Sequence, residues 1–396
     1  MEDAFGSLRG LVVLDLTQML AGPFCSQMLA DHGAEVLKIE PPGGDSTRQF
    51  GPFHPEDSLR SHGGYYQSVN RNKKSVVLDL KDKAGRNDFL ALACQADIVV
   101  ENFREGVMDR LGVGYDALST VNPRLIYASV RGFGDGHGGS GASPYANWPA
   151  FDIVAQAMGG LIGITGQDKD SVVKVGPGVG DIMPGILAAF GILAAVNERH
   201  SSGKGQYIDV AMVDTMLALC ERIVHQYSYA GAVCSPDGSH HPMFAPFGLF
   251  PARDGIVAIG CVAQHQWRTL CELMNRFDLR DDPAIDNGEK RFARREDITA
   301  AVTGFTVRHT KAELIELLGG KIPFGPVYDA RDIFNDPHFR AREMLPCVAH
   351  PGLNQPLEIV GIPLKLSRTP GRIAHGAAQL GEHTDEVLAR VRAQQS

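Results

Sequence analysis

The sequence predicts an α/β protein: a large domain built on a Rossmann-like parallel sheet, with a smaller α/β domain. Two patterns carry this. Short runs of β-branched and leucine residues alternate with longer segments of helical spacing, which argues for βαβ units. Composition then shifts after about residue 225 and shifts back near residue 325. In open parallel sheets ligands sit beyond the carboxyl ends of the strands. The residues that follow each apolar run are therefore the first place to look for function.

Taken in order, Gly10 to Leu16 reads as a strand and Ala21 to His32 as a helix, stopped by Gly33. Ala34 to Glu40 and Ser75 to Leu80 are the next strands, and Lys81 to Gln95 is a helix. Asp97 to Asn102 and Arg124 to Val130 complete the first group of strands. Polar or basic residues follow several of them: Thr17-Gln18, Pro41 to Arg48, Asn102-Phe103-Arg104 and Arg131-Gly132-Phe133. A glycine-rich turn then leads into an apolar helical run, Ile186 to Val196. After the turn residues 201–206, Tyr207 to Met212 reads as a strand and Val213 to Tyr229 as one helix. Residues 233–252 carry Pro, His, Phe and Gly with little periodicity, and 255–320 read as one strand followed by helices. The expected division is 1–224 for the large domain, 225–325 for the small one, and 326–396 for a return segment packed on the large domain. Pro323 to Tyr328 is the expected return linker.

The formal net charge is −8 and the pI about 6.0, which disfavours nucleic acid or an anionic membrane as the main partner. The apolar stretch Ile182 to Val196 contains Pro and Gly and is too short to span a bilayer. Met1 to Phe5 has neither a basic nor an apolar leader pattern. The seven cysteines are scattered with no C-x-x-C pair, so a disulfide frame or zinc site is not expected. A reduced, cytoplasmic setting follows as the expectation.

The chemistry concentrates at Lys174 to Gly185, where Asp181 stands between glycines and the apolar helix. Glycine lets a backbone approach a ligand closely. An Asp at a helix start either caps N–H groups or is held out into a site. Gly134 to Gly139 fits G-x-G-x-x-G after a strand, but Ser140 to Pro144 follows instead of a helix, against a dinucleotide fingerprint. His240, His241 and His265 lack the spacing of a metal site, Cys220 lies on an apolar helical face, and no G-x-S-x-G elbow is present. Arg48, Arg71, Lys73, Lys74, Arg104 and Arg110 cluster in the first third of the chain. They are either surface charges or donors for a phosphate-bearing ligand.

Together these segments resemble the class III CoA-transferases, the CaiB/BaiF family, which includes formyl-CoA transferase and α-methylacyl-CoA racemase. The resemblance lies in Leu16 to Pro23, Gly33 to Pro41, Asn70 to Ser75, Val100 to Gly106, Ala128 to Gly134, Phe151 to Gln156, Gly178 to Asp181, Gly203 to Gln206 and Leu380 to Thr384, in order along nearly the whole chain. It implies that Asp181 is a nucleophile that becomes acylated and then carries coenzyme A as a thioester. It implies that Gln18, Met19, Leu20, Ala21, Asn72, Lys73, Asn102, Phe103, Arg104, Arg110 and Phe151 form the CoA site. Lys and Arg would meet the phosphates, and Phe103 would cover apolar parts of the coenzyme. No permanently bound cofactor and no metal are expected; CoA thioesters are the substrates. The partners implied are an acyl-CoA, a small carboxylic acid and a second copy of the chain in an interlocked homodimer.

Racemases of the family carry a His in the segment matching Phe151-Asp152, and Phe151 cannot exchange a proton, so a transferase is expected, with a racemase or isomerase, or a non-catalytic CoA-binding homologue, as the alternatives. Formyl-CoA/oxalate enzymes have Gln where this chain has Leu20, and a glycine run in the small domain. Here that region reads His241 to Asp254, which makes oxalate the less expected acceptor. Its His241 to Pro246 part is expected to help close the acyl pocket. His241 and Arg253 are candidates to pair with the far carboxylate of a C4–C5 dicarboxylate such as succinate, malate, mesaconate or itaconate.

Overall fold

A computed structural model describes residues 5–393. The chain divides into two compact units: one holds the residues through Leu161, Lys174–Ala232 and Pro337 onward, the other Ile162–Val173 and Val233–Asp336.

The larger unit is built on a six-stranded sheet whose neighbouring strands all pair in parallel. Its strands are β1 (Val12–Asp15), β2 (Glu35–Glu40), β3 (Lys73–Val77), β4 (Ile98–Glu101), β5 (Ile126–Arg131) and β6 (Tyr207–Ala211). The spatial order β3-β2-β1-β4-β5-β6 is that of the doubly wound fold, and it reverses between β1 and β4. Side chains alternate across the sheet. Val13, Ile98, Val100, Ile126 and Ala128 face one core, with Ala188, Ala189 and Ile192 of the helix Val179–Ser202. Leu14, Leu37, Val99 and Tyr127 face the other, with Phe89 and Val387. Both faces are covered, which explains the near-continuous apolar runs in the sequence.

Three local expectations change. β3 begins at Lys73, two residues before the expected Ser75: Lys73 and Lys74 pair with Val36 and Leu37 of β2, and the Lys73 ammonium is buried against Asp15. The helix expected over Val213 to Tyr229 breaks at Cys220 into Met212–Leu219 and Glu221–Ala230. The apolar helix runs over 24 residues, Val179–Ser202, and is long and apolar enough to cross a membrane by length and composition. The sequence had suggested a shorter stretch. One side of this helix belongs to the sheet core, while Leu187, Phe190 and Leu193 on another side are exposed.

The smaller unit carries a three-stranded antiparallel sheet of β7 (Phe247–Ala252), β8 (Gly255–Gly260) and β9 (Phe324–Pro326). Phe250, Val257, Ile259, Trp267, Leu270, Val302 and Leu314 form its core. The helix Lys311–Leu318 starts with a capping box between Thr310 and Glu313. The segment expected as a return linker is thus β9, with Ile259 opposite Phe324 and Val257 opposite Pro326. The unit accordingly reaches Asp336 and begins at Val233, and it takes in residues 162–173.

Candidate active site

Where the strand order reverses, the loops after β1 and β4 are tied together. Gln18 N–H donates to Asn102 Oδ1 at 2.8 Å, and Asn102 Nδ2 donates to the Gln18 carbonyl at 2.7 Å. Between them Met19 adopts φ of 65°, a left-handed turn that delivers the chain into the helix Ala21–Asp31. That helix has no side-chain cap at Leu20. Its first N–H groups and the positive end of its dipole stand at the cleft, where they favour an anion. The cleft has a volume of about 300 Å³. Its lining includes Gln18, Met19, Ala21, Asn102, Phe103, Arg104, Arg131, Trp148, Phe151 and Asp181.

Asp181 reaches this cleft because two glycines allow close approach. A Cβ on Gly185 would lie 2.4 Å from the Ala21 carbonyl oxygen, so only glycine lets the Asp181 helix pack this tightly on the one that starts at Ala21. A Cβ on Gly180 would lie 2.7 Å from the Asp152 carbonyl oxygen. Gly180 N–H instead donates to Asp152 Oδ1 at 2.8 Å, so Asp152 supplies the helix cap. Gln156 holds that cap in place. Its Nε2 donates to both Asp152 oxygens at 2.9 Å, and its Oε1 accepts from Val175 N–H at 3.0 Å. The glycine turn is thereby clamped at both ends.

Asp181 is the third residue of its helix; its N–H donates to the Gly178 carbonyl at 3.1 Å, but its carboxylate has no hydrogen-bond partner among the described residues. Burial pushes its carboxyl up to about 7, and the nearby Asp152 charge adds to the shift. The capping alternative is therefore filled by Asp152. A half-buried, unpaired carboxylate at the wall of a cleft is a basic and nucleophilic group. Tyr65, on the helix Gly64–Asn70, feels the same charge: burial first, then Asp181, raise its phenol. The sequence reading did not single out Tyr65, Trp148 or the Gln156 clamp; only the Phe151 to Gln156 match pointed toward the last.

The structure sorts the proposed CoA residues. Gln18, Met19, Ala21, Asn102, Phe103, Arg104, Phe151 and Asp181 meet at one cleft. Leu20 lies beside Gly178, where an added Cβ would come 2.8 Å from Leu20 Cδ2. Arg110 ends the short helix Val107–Arg110, is exposed, and does not line the cleft. Lys73 needs correction as a phosphate donor, and Asn72 as a CoA-site residue. Lys73 is 1% exposed, and its Nζ donates to Asp15, the Pro23 carbonyl and Asn70, each at 2.9 Å. Asn72 donates to Asp31 at 2.8 Å and to the Arg372 carbonyl at 2.9 Å. Their donors are already used inside the protein. Arg48 and Arg71 are likewise committed, to Glu40 and Asp31. Arg104 is the exposed cation at the cleft, while Arg131 pairs with Glu101 and Asp135. In the smaller unit Arg253 pairs with Glu313 at 3.2 Å, and His241 Nδ1 accepts from Met243 N–H at 3.1 Å. The loop Gly134 to Gly139 opens into no helix; Asp209 holds it by accepting from Asp135 and Gly136 N–H groups.

A doubly wound sheet with an unpaired carboxylate in a cleft at its switch point is the arrangement of an α/β ligand-binding or catalytic site. Comparison with known proteins narrows this. The profile of CoA-transferase family III matches residues 8–384, and the chain belongs to that family. Succinyl-CoA:mesaconate CoA-transferase of Haloarcula hispanica is 45% identical over 97% of this chain and 96% of its own. Acetyl-CoA:oxalate CoA-transferase of Acetobacter aceti is 38% identical over 91% of this chain and 90% of its own. The crystal structure of a CaiB/BaiF family protein from Brucella suis superposes with a TM-score of 0.86 at 32% identity, covering 98% of this chain and all of that one. The chain is a CoA-transferase acting on CoA thioesters.

Proposed function

We propose that this enzyme moves coenzyme A from succinyl-CoA to a C4–C5 dicarboxylate of the mesaconate type, with Asp181 as the covalent carrier. The observation that carries the mechanism is the Asp181 carboxylate, unpaired in the cleft and raised to about 7. An Asp181 oxygen attacks the thioester carbonyl, the C–S bond breaks, and CoA leaves as the thiolate with a mixed anhydride on the protein. The thiolate attacks the aspartyl carbonyl and expels the donor acid, leaving an aspartyl-CoA thioester. The acceptor carboxylate attacks that thioester, and the released thiolate then attacks the acceptor carbonyl and frees Asp181. Raised basicity makes Asp181 the better nucleophile, and the uncapped N–H groups at Ala21 offer stabilisation to developing oxyanions. Anhydrides hydrolyse, so water must be kept from the cleft during each step.

The choice of acids rests on relatives named for succinyl-CoA with mesaconate, L-malate or glutarate. A homodimer is part of the proposal. Exposed Leu187, Phe190 and Leu193 on one helix, and Val224, Tyr227 and Tyr229 on another, give the larger unit apolar faces suited to a second copy. The cytoplasmic setting is proposed from the cysteine pattern. The test is an exchange assay with succinyl-CoA against mesaconate, malate, itaconate, glutarate and oxalate. Transfer to the C4–C5 acids at least about tenfold above oxalate in kcat/KM is the expected result. Transfer to oxalate alone, or to none, contradicts the proposal.

A further inference from the structure

Trp148 stands out among the residues that wall the cleft. Its side chain is 56% exposed, although a ring of that size has the most to gain from burial. It is not a loose surface ring. The Trp148 backbone N–H donates to the Tyr145 carbonyl at 2.8 Å, closing a turn between Pro144 and Pro149. The Tyr145 ring lies against the indole at 4.6 Å, and Phe133, 7% exposed just after β5, meets it edge-on at 6.2 Å. Ala150 is pressed onto Gly132, where an added Cβ would lie 2.3 Å from Ala150 Cβ. The indole is therefore supported by two rings and still bare to solvent, at the wall of the cleft that Asp181 also lines. A large ring held in place and uncovered at a pocket wall suits a ligand, because little freedom remains to be lost on binding.

The cleft decides which part of a CoA thioester the indole meets. Its volume, about 300 Å³, is at the small end for ligand pockets and takes only a portion of the coenzyme. That portion is the thioester end, because the carbonyl under attack must reach Asp181, which lines the same space. The adenine then lies beyond it. The pantetheine arm next to the sulfur is a chain of methylenes and amides, which packs on an aromatic face and asks for no counter-charge. An apolar ring at this place also bears on water. Water that attacks the aspartyl anhydride returns Asp181 and the donor acid, so succinyl-CoA is hydrolysed and no CoA is transferred.

We propose that Trp148 is a substrate-contact residue: its indole packs on the pantetheine arm beside the thioester and, by covering it, keeps water from the Asp181 anhydride. The inference rests on the CoA-transfer reading of this cleft. Indole emission of the full-length protein tests it, since the chain has two tryptophans and the other, Trp267, is 0% exposed in the core of the smaller unit. CoA and pantetheine should shift the emission to the blue as the Trp148 ring leaves water, and adenosine diphosphate should not. Trp148→Ala should raise KM for succinyl-CoA about tenfold, the scale of one lost aromatic contact, and raise hydrolysis relative to transfer at least about fivefold. Trp148→Phe should abolish the emission shift but keep KM and that ratio near the parent values. The emission series on the parent protein needs no variant, so it stands if Trp148→Ala fails to fold. CoA bound in titration calorimetry without an emission shift, the same shift with adenosine diphosphate, or an unchanged KM or hydrolysis ratio in Trp148→Ala each overturn the contact and leave CoA transfer standing. Failure of CoA to bind at all overturns both.

Discussion

Asp15 and Asp181 are the same side chain in two opposite settings within one unit. Asp15 is fully buried, but it meets Lys73 at 2.9 Å and Ser26 Oγ at 2.6 Å, with Lys38 nearby. Burial alone would raise it, yet these partners outweigh that cost and hold it down to about 2. Asp181 is less buried and higher, because burial acts on it with no cation to offset it and with Asp152 as a like charge. Burial with a partner makes an anchor; burial without one makes a base. The distinction is one of neighbours and not of depth.

The largest test of that contrast is Asp181→Ala. CoA exchange should fall by at least about 10⁴-fold, the scale of losing a covalent nucleophile, while CoA still binds. Unfolding in urea should show no loss of stability, since no partner is broken. Asp15→Ala should do the reverse. It leaves Lys73 buried without its counter-charge and should cost about 3–5 kcal/mol in the same unfolding experiment. The sign with pH follows from the depressed value. The Asp15 contribution is present above its unfolded pKa near 4 and is lost as pH falls toward 2. Equal stability of both variants would remove the contrast.

Asp152→Asn sharpens it further. In the parent enzyme kcat/KM should rise with pH through about 7 as Asp181 loses its proton, then level off. Removing the Asp152 charge should move that midpoint down. It should stay above the ordinary carboxylate range, because burial is the larger cause. An unmoved midpoint would assign the whole shift to burial. The smallest effects fall on the cations. Arg104→Ala should raise KM for the CoA thioester by about tenfold, as expected for one charge-assisted contact. Arg110→Ala, outside the cleft, should change it less than about twofold.

Much of this was legible in the chain. The alternating apolar runs gave the parallel sheet, and the glycines around Asp181 marked a carboxylate brought close to backbone. Lys73 was misread for a physical reason. A lysine at a strand end looks like an exposed donor, and its partner Asp15 lies 58 residues away with β2 between their strands. β9 was misread because Phe324–Pro326 carries Gly and Pro, which punctuate loops more often than strands. The apolar helix was placed late because Pro184 and the glycines hid its first turn, which Asp152 caps from 28 residues away.

The account depends most directly on what Asp181 carries during turnover. Incubation with succinyl-CoA, rapid acid quench and mass spectrometry of the peptide containing Asp181 should find that residue modified as a CoA thioester. Hydroxylamine should convert it to the hydroxamate. A peptide that stays unmodified while exchange proceeds would contradict the central claim.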